Sequence, residues 1–276
     1  MLDFGNRRVV VTGAASGIGA ALASMALGRG AEVHALDVSP IAAPATGSMS
    51  IHRCDLGDPD AIEATVAGLP DRIDALFNCA GIPNGGRFSG EEVLRVNWLG
   101  LRHLTEQVLG RMGPDGAVVH IASTAGRDWA QRAEELAELM AAGSFAEGLA
   151  WLRARPGLWG DGYAFSKEAV QYYTMWRAVQ LLPSGVRMNS ICPGVTDTAI
   201  VADFRRGLGD EVIDQARAMT GRMARPDEMA PAMLFLADPV CSSYLTGVNL
   251  AIDRGTGAAR MTDQYDPAAV WGPTGR

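Results

Sequence analysis

The sequence predicts a single α/β domain in which helices cover both faces of a seven-stranded parallel sheet. Three observations support this fold class. Apolar runs of strand length alternate with helical patterns along the chain, several of those runs are apolar nearly throughout, and 276 residues suit one large α/β domain. Strands that are apolar on both sides are expected where helices cover both faces of a sheet.

The order of the elements follows from the apolar periodicity. Seven segments are predicted as strands: residues 8–12, 32–36, 49–53, 74–78, 116–122, 186–191 and 248–252. Helical patterns are predicted at residues 17–29, 59–68, 91–111, 163–182 and 227–237. Because crossovers between parallel strands are right-handed, this alternation predicts a doubly wound sheet within one domain spanning residues 1–276.

One interval breaks the alternation. About forty residues separate the strand ending at residue 122 from the helix beginning at Tyr163, which is too many for a structureless loop in a compact domain. Two apolar stripes at helical spacing occur there: Ala133, Leu136, Ala137 and Met140, then Phe145, Leu149 and Leu152. Ser144 and Glu147 predict a capping box between them. We therefore predict a helical insertion at about residues 127–160 that forms a lid or a subunit contact in preference to a core element.

The composition excludes several classes of function. A net charge of −7 argues against nucleic acid or an anionic membrane as a partner, and no apolar stretch reaches the roughly 18 residues of a membrane helix. The first residues carry neither a basic segment nor an apolar signal core, so we expect a cytoplasmic protein. The cysteines lack metal-ligand spacing, so we expect no metal and small buried side chains at Cys54, Cys79, Cys192 and Cys241.

A glycine-rich turn links the first predicted strand to the first predicted helix. Its sequence is Thr12-Gly13-Ala14-Ala15-Ser16-Gly17-Ile18-Gly19. Glycines there let the backbone turn tightly and approach a pyrophosphate that lies on the helix N-terminus. Because both a strand and a helix are predicted around the turn, we predict a Rossmann-like dinucleotide site with five contacts in this segment: Gly13, Ser16, Gly17, Ile18 and Gly19.

The carboxylate of Asp37 stands at the end of the second predicted strand. At this position a carboxylate accepts hydrogen bonds from the adenosine ribose and repels the 2′-phosphate of NADP. No arginine or lysine occurs at residues 14–16 or 38–39 to neutralise a phosphate. We therefore predict NAD as the cofactor in preference to NADP, with an ordinary strand-end turn residue as the alternative interpretation of Asp37.

Lys167 is the only lysine in the chain, and it follows Tyr163 by four residues. In a helix that spacing puts both side chains on one face. Lysine is a compact point charge that arginine does not replace, and an ammonium near a phenol lowers the tyrosine pKa from its usual value of about 10. The pair predicts a group that donates and accepts a proton at working pH, with an incidental surface pair as the alternative.

With these features in view, the chain resembles the short-chain dehydrogenase/reductase family along residues 5–255. Six motifs occur in the family's order: the glycine turn 13–19; Asp55-Leu56; Asn78-Cys79-Ala80-Gly81; Asn97 in Val96-Asn97-Trp98; Ser123 in Ala122-Ser123-Thr124-Ala125-Gly126; and Tyr163 with Lys167, followed by Pro193-Gly194 and Thr198. A chance match of six ordered motifs is negligible, so the resemblance implies the family's fold and its oxidoreductase chemistry.

The resemblance implies four catalytic residues. Tyr163 would exchange a proton with a carbonyl or an alcohol, and Ser123 would hydrogen-bond the substrate oxygen. Lys167 would hold the cofactor ribose and lower the pKa of Tyr163. Asn97 would kink its helix and hold a water that links Lys167 to solvent. Each residue taken alone has an ordinary structural alternative, but the combination favours catalysis.

The resemblance also implies further cofactor contacts. Asp55 looks like the adenine contact, while Asn78 and Gly81 would flank the adenosine half. Thr198 and the backbone of Ile191 would bond the nicotinamide carboxamide. The same motifs add five residues to the predicted cofactor site: Leu56, Ala80, Pro193, Gly194 and Thr196.

The long interval before Tyr163 is similar to that of a subgroup containing bacterial 3α-hydroxysteroid dehydrogenase/carbonyl reductase and coniferyl alcohol dehydrogenase. The stretches Gly126-Arg127-Asp128-Trp129 and Gly148-Leu149-Ala150-Trp151-Leu152 resemble the coniferyl alcohol type. This resemblance implies an NAD-dependent dehydrogenase for a bulky hydrophobic alcohol or ketone, in a homodimer or homotetramer. Four side chains are candidates for its apolar walls: Trp129, Trp151, Trp159 and Met175.

Two other functions share parts of this pattern. A non-catalytic NAD(H) sensor on the same fold requires none of the four catalytic residues, and the sequence contains all of them. A sugar-nucleotide epimerase shares the tyrosine–lysine pair but usually carries a larger C-terminal substrate domain, for which the residues after Gly194 leave no room. The sequence therefore favours the dehydrogenase.

Overall fold

Seven parallel strands form one sheet at the centre of the molecule. In the computed structural model, which describes residues 2–43, 47–84 and 87–266, the strands are β1 (Arg8–Thr12), β2 (Glu32–Asp37), β3 (Ser48–Arg53), β4 (Ala75–Asn78), β5 (Ala117–Ile121), β6 (Arg187–Pro193) and β7 (Asn249–Ile252). Their order across the sheet is β3-β2-β1-β4-β5-β6-β7, and each neighbouring pair is parallel. The predicted seven-stranded doubly wound fold is confirmed.

Helices lie against both faces of the sheet. They are α1 (Gly17–Leu27), α2 (Pro59–Ala67), α3 (Gly90–Leu94), α4 (Leu101–Leu109), α5 (Ala133–Ala141), α6 (Phe145–Arg153), α7 (Pro156–Trp159), α8 (Tyr163–Leu181), α9 (Ile200–Leu208), α10 (Asp210–Thr220), α11 (Ala230–Ala237) and α12 (Thr256–Met261). Val10 and Val11, adjacent in β1, pack into opposite hydrophobic clusters, which explains why the strand is apolar throughout. None of the described helices combines the length and apolar content needed to cross a membrane.

The helix predicted at residues 91–111 consists of three parts. α3 begins after Ser89, which forms a complete capping box with Glu92. Residues Arg95–Gly100 then form a π-helical turn, and α4 continues from Leu101. A π turn adds a residue to the helical repeat and marks a local distortion of the helix. The distortion that the family resemblance assigns to Asn97 is present, since Asn97 lies within this turn.

Three helices in the C-terminal part of the chain were not predicted. α9 and α10 follow β6, and α12 follows β7. Ile200, Val201 and Phe204 recur at helical spacing, so the sequence did carry a signal for α9. α12 spans only 6 residues, which is too short for a periodic pattern to show.

The insertion packs into the core of the protein. Helices α5, α6 and α7 and a short turn at Trp129–Arg132 occupy the predicted interval 127–160. Six apolar side chains from α5 and α6 are buried in the main hydrophobic cluster: Leu136, Leu139, Met140, Phe145, Leu149 and Leu152. Ala137, predicted in the first stripe, is exposed. The stripes find their packing partners within the chain, so they do not by themselves require a lid or a subunit contact, and a subunit contact through the outer face of the insertion stays a prediction.

The predicted capping box at the start of α6 is only half formed. The hydroxyl of Ser144 accepts a hydrogen bond from the Glu147 N–H at 3.2 Å. The Glu147 carboxylate accepts its bond from the Gly143 N–H at 2.6 Å, in place of the Ser144 N–H that a full capping box requires. This arrangement tightens the turn between α5 and α6.

The cysteines differ in their exposure. Cys54 and Cys192 are buried, Cys79 is half-buried and Cys241 is exposed. The prediction of four buried cysteines is therefore wrong for Cys241, which lies in the loop after α11. Its N–H donates to the Asp238 carboxylate at 2.7 Å, so a backbone hydrogen bond orders this loop.

Replacing Leu136 with alanine should destabilise the protein. Leu136 is 0% exposed, and truncating such a leucine leaves a cavity that costs about 2–5 kcal/mol of the free energy of unfolding. Urea unfolding of Leu136→Ala should give a clearly lower midpoint than the wild type. The exposed neighbour Ala137 provides the control, and Ala137→Ser should leave the midpoint nearly unchanged. Equal midpoints for the two variants would contradict a core role for the insertion.

Candidate active site

A cavity of about 1090 Å³ lies at the carboxyl ends of strands β1, β2, β4, β5 and β6. Its position follows from the topology. The chain runs outward from β1 through β2 to β3, then returns to β4 on the other side of β1 and continues to β7. Helices that follow β1 and β4 therefore diverge and leave a crevice at this point of the sheet.

The glycine turn forms one end of the cavity. Gly13 and Gly17 have φ angles of 68° and 57°, in the left-handed region that favours glycine. A Cβ on Gly13 would lie 2.8 Å from the Cα of Ala80, and a Cβ on Gly19 would lie 2.2 Å from the carbonyl oxygen of Gly13. The turn, α1 and the loop after β4 therefore pack backbone against backbone, which a larger residue would prevent.

The N-terminus of α1 is open to an anion. Ser16 occupies the N-cap position, but its hydroxyl makes no capping hydrogen bond, and the first turn contains no acidic residue. The first N–H groups of a helix in this state attract phosphate. A Cβ on Gly17 would lie 3.3 Å from the methyl carbon of Thr198, so only glycine leaves the space between them open. These features fit the pyrophosphate of a dinucleotide, and all five predicted residues of the turn line the cavity: Gly13, Ser16, Gly17, Ile18 and Gly19.

Two carboxylates lie at the strand ends beside this turn. Asp37 accepts hydrogen bonds from the N–H groups of Ala15 at 2.9 Å and Ser39 at 2.8 Å. Asp55 is oriented in the same way by the Gly57 N–H at 2.8 Å. Each carboxylate is therefore fixed by backbone donors and retains lone pairs for a sugar hydroxyl or a base amine. Asp37, Asp55 and Leu56 all line the cavity, as predicted for the adenosine end.

The loop after β4 is tied to β1 by a threonine. The Thr12 hydroxyl oxygen accepts hydrogen bonds from the N–H groups of Cys79 and Ala80, each at 3.0 Å. This holds Ala80 and Gly81 on the cavity wall. A Cβ on Gly81 would lie 3.7 Å from Lys167 Nζ, so the loop passes close to the lysine.

Asn78 does not make the contact predicted for it. The residue is 1% exposed, and its Nδ2 donates to Thr105 Oγ1 at 2.9 Å and to His120 Nδ1 at 3.0 Å. Burial lowers the pKa of His120 to about 3, so its ring is neutral and accepts through Nδ1. The Asn78 side chain is committed to the core between β4, β5 and α4. A direct contact with the adenosine half is therefore wrong, because the side chain lies behind the cavity wall.

Ser123 lies two residues beyond the end of β5 and caps a short turn over residues 124–126. Its hydroxyl accepts a hydrogen bond from the Ala125 N–H at 3.1 Å, and its carbonyl oxygen accepts one from the Gly126 N–H at 3.1 Å. A Cβ on Gly126 would lie 2.5 Å from the carbonyl carbon of Lys167. The turn therefore packs directly on the backbone of α8, which brings Ser123 next to the residues of that helix.

Tyr163 and Lys167 lie on the same face of α8, as their spacing predicts. Lys167 Nζ is 5.7 Å from the centroid of the Tyr163 ring and donates a hydrogen bond to the Ile121 carbonyl oxygen at 2.9 Å. The Ser123 side chain lies close enough to the Tyr163 phenol to lower its pKa. All three side chains line the cavity, so a hydroxyl pair and an ammonium meet at one point of its wall.

The pKa values of this pair differ from the prediction. Burial raises the pKa of Tyr163 to about 12, and the nearby Ser123 side chain offsets this only in part. Burial also lowers the pKa of Lys167 to about 8. The prediction that Lys167 brings the pKa of Tyr163 below its usual value is wrong for this structure, because both groups lose hydration and the ammonium is bound to the Ile121 carbonyl. The phenol is therefore protonated at neutral pH.

Asn97 lies one layer behind the cavity wall. It is 0% exposed, and the oxygen and the nitrogen of its side-chain amide both bond to Ile82, while the nitrogen also donates to the Ser166 hydroxyl at 3.4 Å. The Ile82 N–H donates to Oδ1 at 2.8 Å, and Nδ2 donates to the Ile82 carbonyl oxygen at 2.9 Å. The side chain thus fixes the loop that follows Gly81. Its role in a water relay from Lys167 stays a prediction.

The opposite wall of the cavity comes from the end of β6. Pro193, Gly194, Thr196 and Thr198 all line it, in agreement with the predicted set. The hydroxyl of Thr196 donates to the Gly194 carbonyl at 3.1 Å, and that of Thr198 donates to the Thr196 carbonyl at 3.4 Å. These bonds hold the chain in a compact turn, with Thr198 opposite Gly17.

Ile191 lies inside β6 and not on the cavity wall. It is fully buried, and its carbonyl oxygen accepts the Ala122 N–H at 2.9 Å in the ladder with β5. The predicted backbone contact of Ile191 with a carboxamide is therefore wrong, because Ile191 is fully buried in the sheet and does not line the cavity. Val195, beyond the end of β6, lies on the wall in its place.

The predicted apolar walls are also wrong. Trp129 packs on Tyr172 with 6.0 Å between ring centroids, and Trp151 stacks on Phe165 at 6.5 Å. Trp159 donates to the Leu152 carbonyl at 2.9 Å, and Met175 lies beside Gly247. Among the described residues on the cavity wall, Arg127, the first residue of the predicted insertion, is the only one from residues 127–160. The aromatic residues of the insertion therefore pack within the protein, and the insertion is not a lid.

The substrate end of the cavity is built by elements that sequence patterns did not reveal. Its apolar wall includes Ile82, Pro83, Phe88, Ile200, Val201 and Phe204. Phe204 of α9 meets the Tyr163 ring edge to face, with 4.9 Å between centroids and an interplanar angle of 73°. The helical spacing of Val201 and Phe204 was the available signal, but their position over Tyr163 depends on how α9 folds back across the sheet.

The two halves of the chain match known protein families. Residues 7–134 match the sequence profile described as short chain dehydrogenase, and residues 130–257 match the profile described as Enoyl-(Acyl carrier protein) reductase. Together the two matches cover the glycine turn, the residues after β5 and the tyrosine–lysine pair of α8.

Individual relatives cover almost the whole chain. It is 35% identical over 254 residues to coniferyl-alcohol dehydrogenase of Pseudomonas sp. (strain HR199 / DSM 7063), covering 91% of this chain and 96% of that protein. It is 31% identical over 264 residues to 3-alpha-hydroxysteroid dehydrogenase/carbonyl reductase of Comamonas testosteroni, covering 93% and 99%. The crystal structure of 3-alpha-hydroxysteroid dehydrogenase from Pseudomonas sp. B-0831 complexed with NADH superposes with a TM-score of 0.76 at 27% identity, covering 93% and 99%. The chain belongs to the short-chain dehydrogenase/reductase family of oxidoreductases.

Proposed function

We propose that the protein is an NAD-dependent dehydrogenase that interconverts a bulky hydrophobic alcohol and its carbonyl compound, with Tyr163 as acid and base. The observation that carries this proposal is the meeting of Ser123, Tyr163 and Lys167 on the wall of one cavity. The same cavity extends to the glycine turn and to Asp37. A proton-transfer group and residues that fit a dinucleotide therefore share one cavity, as a dehydrogenase requires.

Asp37 supports NAD in preference to NADP. Its two oxygens are held by the N–H groups of Ala15 and Ser39, and no cation is needed to orient them. A fixed carboxylate at this point accepts hydrogen bonds from ribose hydroxyls and repels a 2′-phosphate. Val38 and Ser39, which line the cavity beside it, are uncharged and do not offset that repulsion.

The proton chemistry is assigned to residues of the chain, while a bound nicotinamide dinucleotide supplies the hydride chemistry. Ser123 hydrogen-bonds the substrate oxygen and holds it beside Tyr163. In carbonyl reduction Tyr163 donates its proton from the neutral phenol, which a pKa of about 12 keeps fully protonated at neutral pH. The ammonium of Lys167 then stabilises the phenolate that remains. In alcohol oxidation the proton passes in the opposite direction.

The substrate class follows from the apolar wall near Tyr163. Phe204 of α9 packs on the Tyr163 ring, and Ile200 and Val201 of the same helix line the cavity, which favours an aromatic or steroid-like skeleton over a sugar. We propose a coniferyl-alcohol-type substrate first, because the relative of that name has the higher identity of the two quoted above. A 3α-hydroxysteroid is the alternative substrate. We also propose that the protein assembles as a homodimer or homotetramer and acts in the cytoplasm.

A non-catalytic NAD(H) sensor is the alternative from another class. A sensor needs the glycine turn and Asp37, but it has no use for two hydroxyls and an ammonium beside an apolar substrate space. The position of Ser123 beside Tyr163 on the cavity wall therefore favours the enzyme. The two functions differ in whether Tyr163 is required for turnover.

Oxidation of alcohols with NAD⁺ tests the proposed function. We expect turnover of coniferyl alcohol, androsterone-like steroids or simple aryl alcohols, followed by the absorbance of the reduced nicotinamide. Tyr163→Phe removes only the phenolic oxygen, so turnover should fall by about 10²- to 10⁴-fold while NADH fluorescence still reports binding. Substantial activity in this variant would remove Tyr163 from its role. NADH binding by the wild type without turnover of any compound would favour the sensor.

Replacing Asp37 with serine should reduce the preference for NAD over NADP. The substitution removes the negative charge that repels a 2′-phosphate and keeps a small hydrogen-bonding group. The ratio of kcat/KM for NAD⁺ to that for NADP⁺ should fall by roughly tenfold, equivalent to about 1.4 kcal/mol. Asp60→Ser, at an exposed acid of α2 outside the cavity wall, is the control and should leave the ratio unchanged. An unaltered ratio in Asp37→Ser would show that Asp37 does not read the ribose.

Carbonyl reduction should slow as the pH rises through about 8. Burial lowers the pKa of Lys167 to about 8, so its ammonium is present below this pH and is lost above it. Tyr163 remains protonated over the whole range, so loss of the lysine charge should dominate the pH profile. We expect kcat/KM for reduction to be nearly constant from about pH 6 to 7 and to fall by up to about tenfold per unit above pH 8. A rate that rises between pH 7 and 9 would contradict this assignment.

A further inference from the structure

Gln171 lies on the same face of α8 as Tyr163 and Lys167, one helical turn beyond the lysine. It is 4% exposed, and its Nε2 donates to the carbonyl oxygen of Ser123 at 2.7 Å. The side chain does not line the cavity, so neither substrate nor cofactor displaces this bond. It therefore links the two catalytic elements, α8 and the turn after β5, from behind.

Two side chains of α8 attach to the end of β5 in the same way. Lys167 Nζ donates to the Ile121 carbonyl at 2.9 Å, and Gln171 Nε2 donates to the Ser123 carbonyl two residues further on. Lys167 lines the cavity and is assigned to the cofactor ribose, so its bond to Ile121 is available for exchange during turnover. The bond from Gln171 is neutral and enclosed. The Gln171 bond therefore holds Ser123 against α8 while Lys167 exchanges its bond to Ile121 for one to the cofactor ribose.

Gln171 is itself held by residues of the neighbouring strands β6 and β7. Its backbone carbonyl oxygen accepts a hydrogen bond from Asn249 Nδ2 at 3.2 Å. Asn249 Oδ1 in turn accepts from the Ser190 hydroxyl at 2.6 Å. A polar chain thus runs from β6 and β7 through α8 to Ser123. Buried networks of this kind fix geometry because each member is costly to leave unpaired.

We propose that Gln171 is a positioning residue that sets the distance between the Ser123 and Tyr163 hydroxyls. The inference rests on the dehydrogenase function proposed above. Ser123 lies two residues beyond the end of β5, and its hydroxyl accepts a hydrogen bond from the Ala125 N–H of its own turn, so the strand ladder alone does not fix its position. Gly126 allows the turn to approach α8 closely, and Gln171 fixes how the turn lies along the helix axis. A shift of about 1 Å between such groups is enough to slow catalysis by about 100-fold.

Gln171→Met and Gln171→Glu test this role. Methionine keeps the length of the side chain but removes the donor, so kcat should fall by about 10- to 100-fold while the dissociation constant of NADH stays within about twofold. Glutamate donates to the Ser123 carbonyl only when its carboxyl is protonated and repels that oxygen when ionised. The ratio of kcat for Gln171→Glu to kcat for the wild type should therefore decline as the pH rises, which a purely structural role does not predict. Gln180→Met, at an exposed glutamine of α8, is the matched control and should behave like the wild type.

The outcomes separate this inference from the proposed function. A wild type that turns over alcohols, together with a folded Gln171→Met of unchanged kcat or a Gln171→Glu ratio that does not vary with pH, overturns the positioning role alone. If the wild type is inactive, the proposed function fails. The crystal structure of Gln171→Met then still shows whether Gln171 fixes the position of Ser123 relative to Tyr163. Displacement of the Ser123 hydroxyl from Tyr163 in that structure supports the inference. An unmoved Ser123 overturns it.

Discussion

The contact between helix α8 and the end of strand β5 is the constraint on which the site depends. Gly126 lets the turn after β5 lie directly on the backbone of α8. A Cβ added to Gly126 would lie only 2.5 Å from the Lys167 carbonyl carbon. Lys167 and Gln171 then donate to the carbonyls of Ile121 and Ser123. Close backbone packing and two short hydrogen bonds fix the position of α8. The side chains of Tyr163 and Ser123 therefore lie close together on the cavity wall.

Close backbone packing and hydrogen bonds also shape the end of the cavity that fits a dinucleotide. Gly13, Gly19 and Ala80 pack with their backbones in contact, and the Thr12 hydroxyl ties the loop after β4 to β1. Carboxylates at the strand ends are oriented by backbone N–H groups instead of cations, which leaves their charge available for selection of the cofactor. The site is thus preorganised by the protein itself, because polar groups are already fixed where a ligand is expected.

Burial explains why the pKa of Tyr163 is raised and not lowered as the sequence predicts. The spacing of Tyr163 and Lys167 correctly places both side chains on one face of a helix, but spacing contains no information on hydration. In the folded protein the loss of water raises the pKa of the phenol to about 12 and lowers that of the ammonium to about 8. Both shifts favour the neutral forms, which suits a proton donor for carbonyl reduction and makes the charge on Lys167 sensitive to mildly alkaline pH.

The sequence by itself determined the seven strands, the glycine turn, Asp37 and the face shared by Tyr163 and Lys167, since each depends on local periodicity or on residues close in the chain. The tertiary structure alone decided which side chains face the cavity. Asn78 and Ile191 occupy motif positions from which cofactor contacts were predicted. The Asn78 side chain is instead bonded to Thr105 and His120, and Ile191 lies within the β6 ladder. The tryptophans of the insertion pack inside the protein, while Phe204 covers Tyr163 from a distant helix. Apolar residues bury themselves wherever a surface is available, and only the packed fold specifies which surface that is.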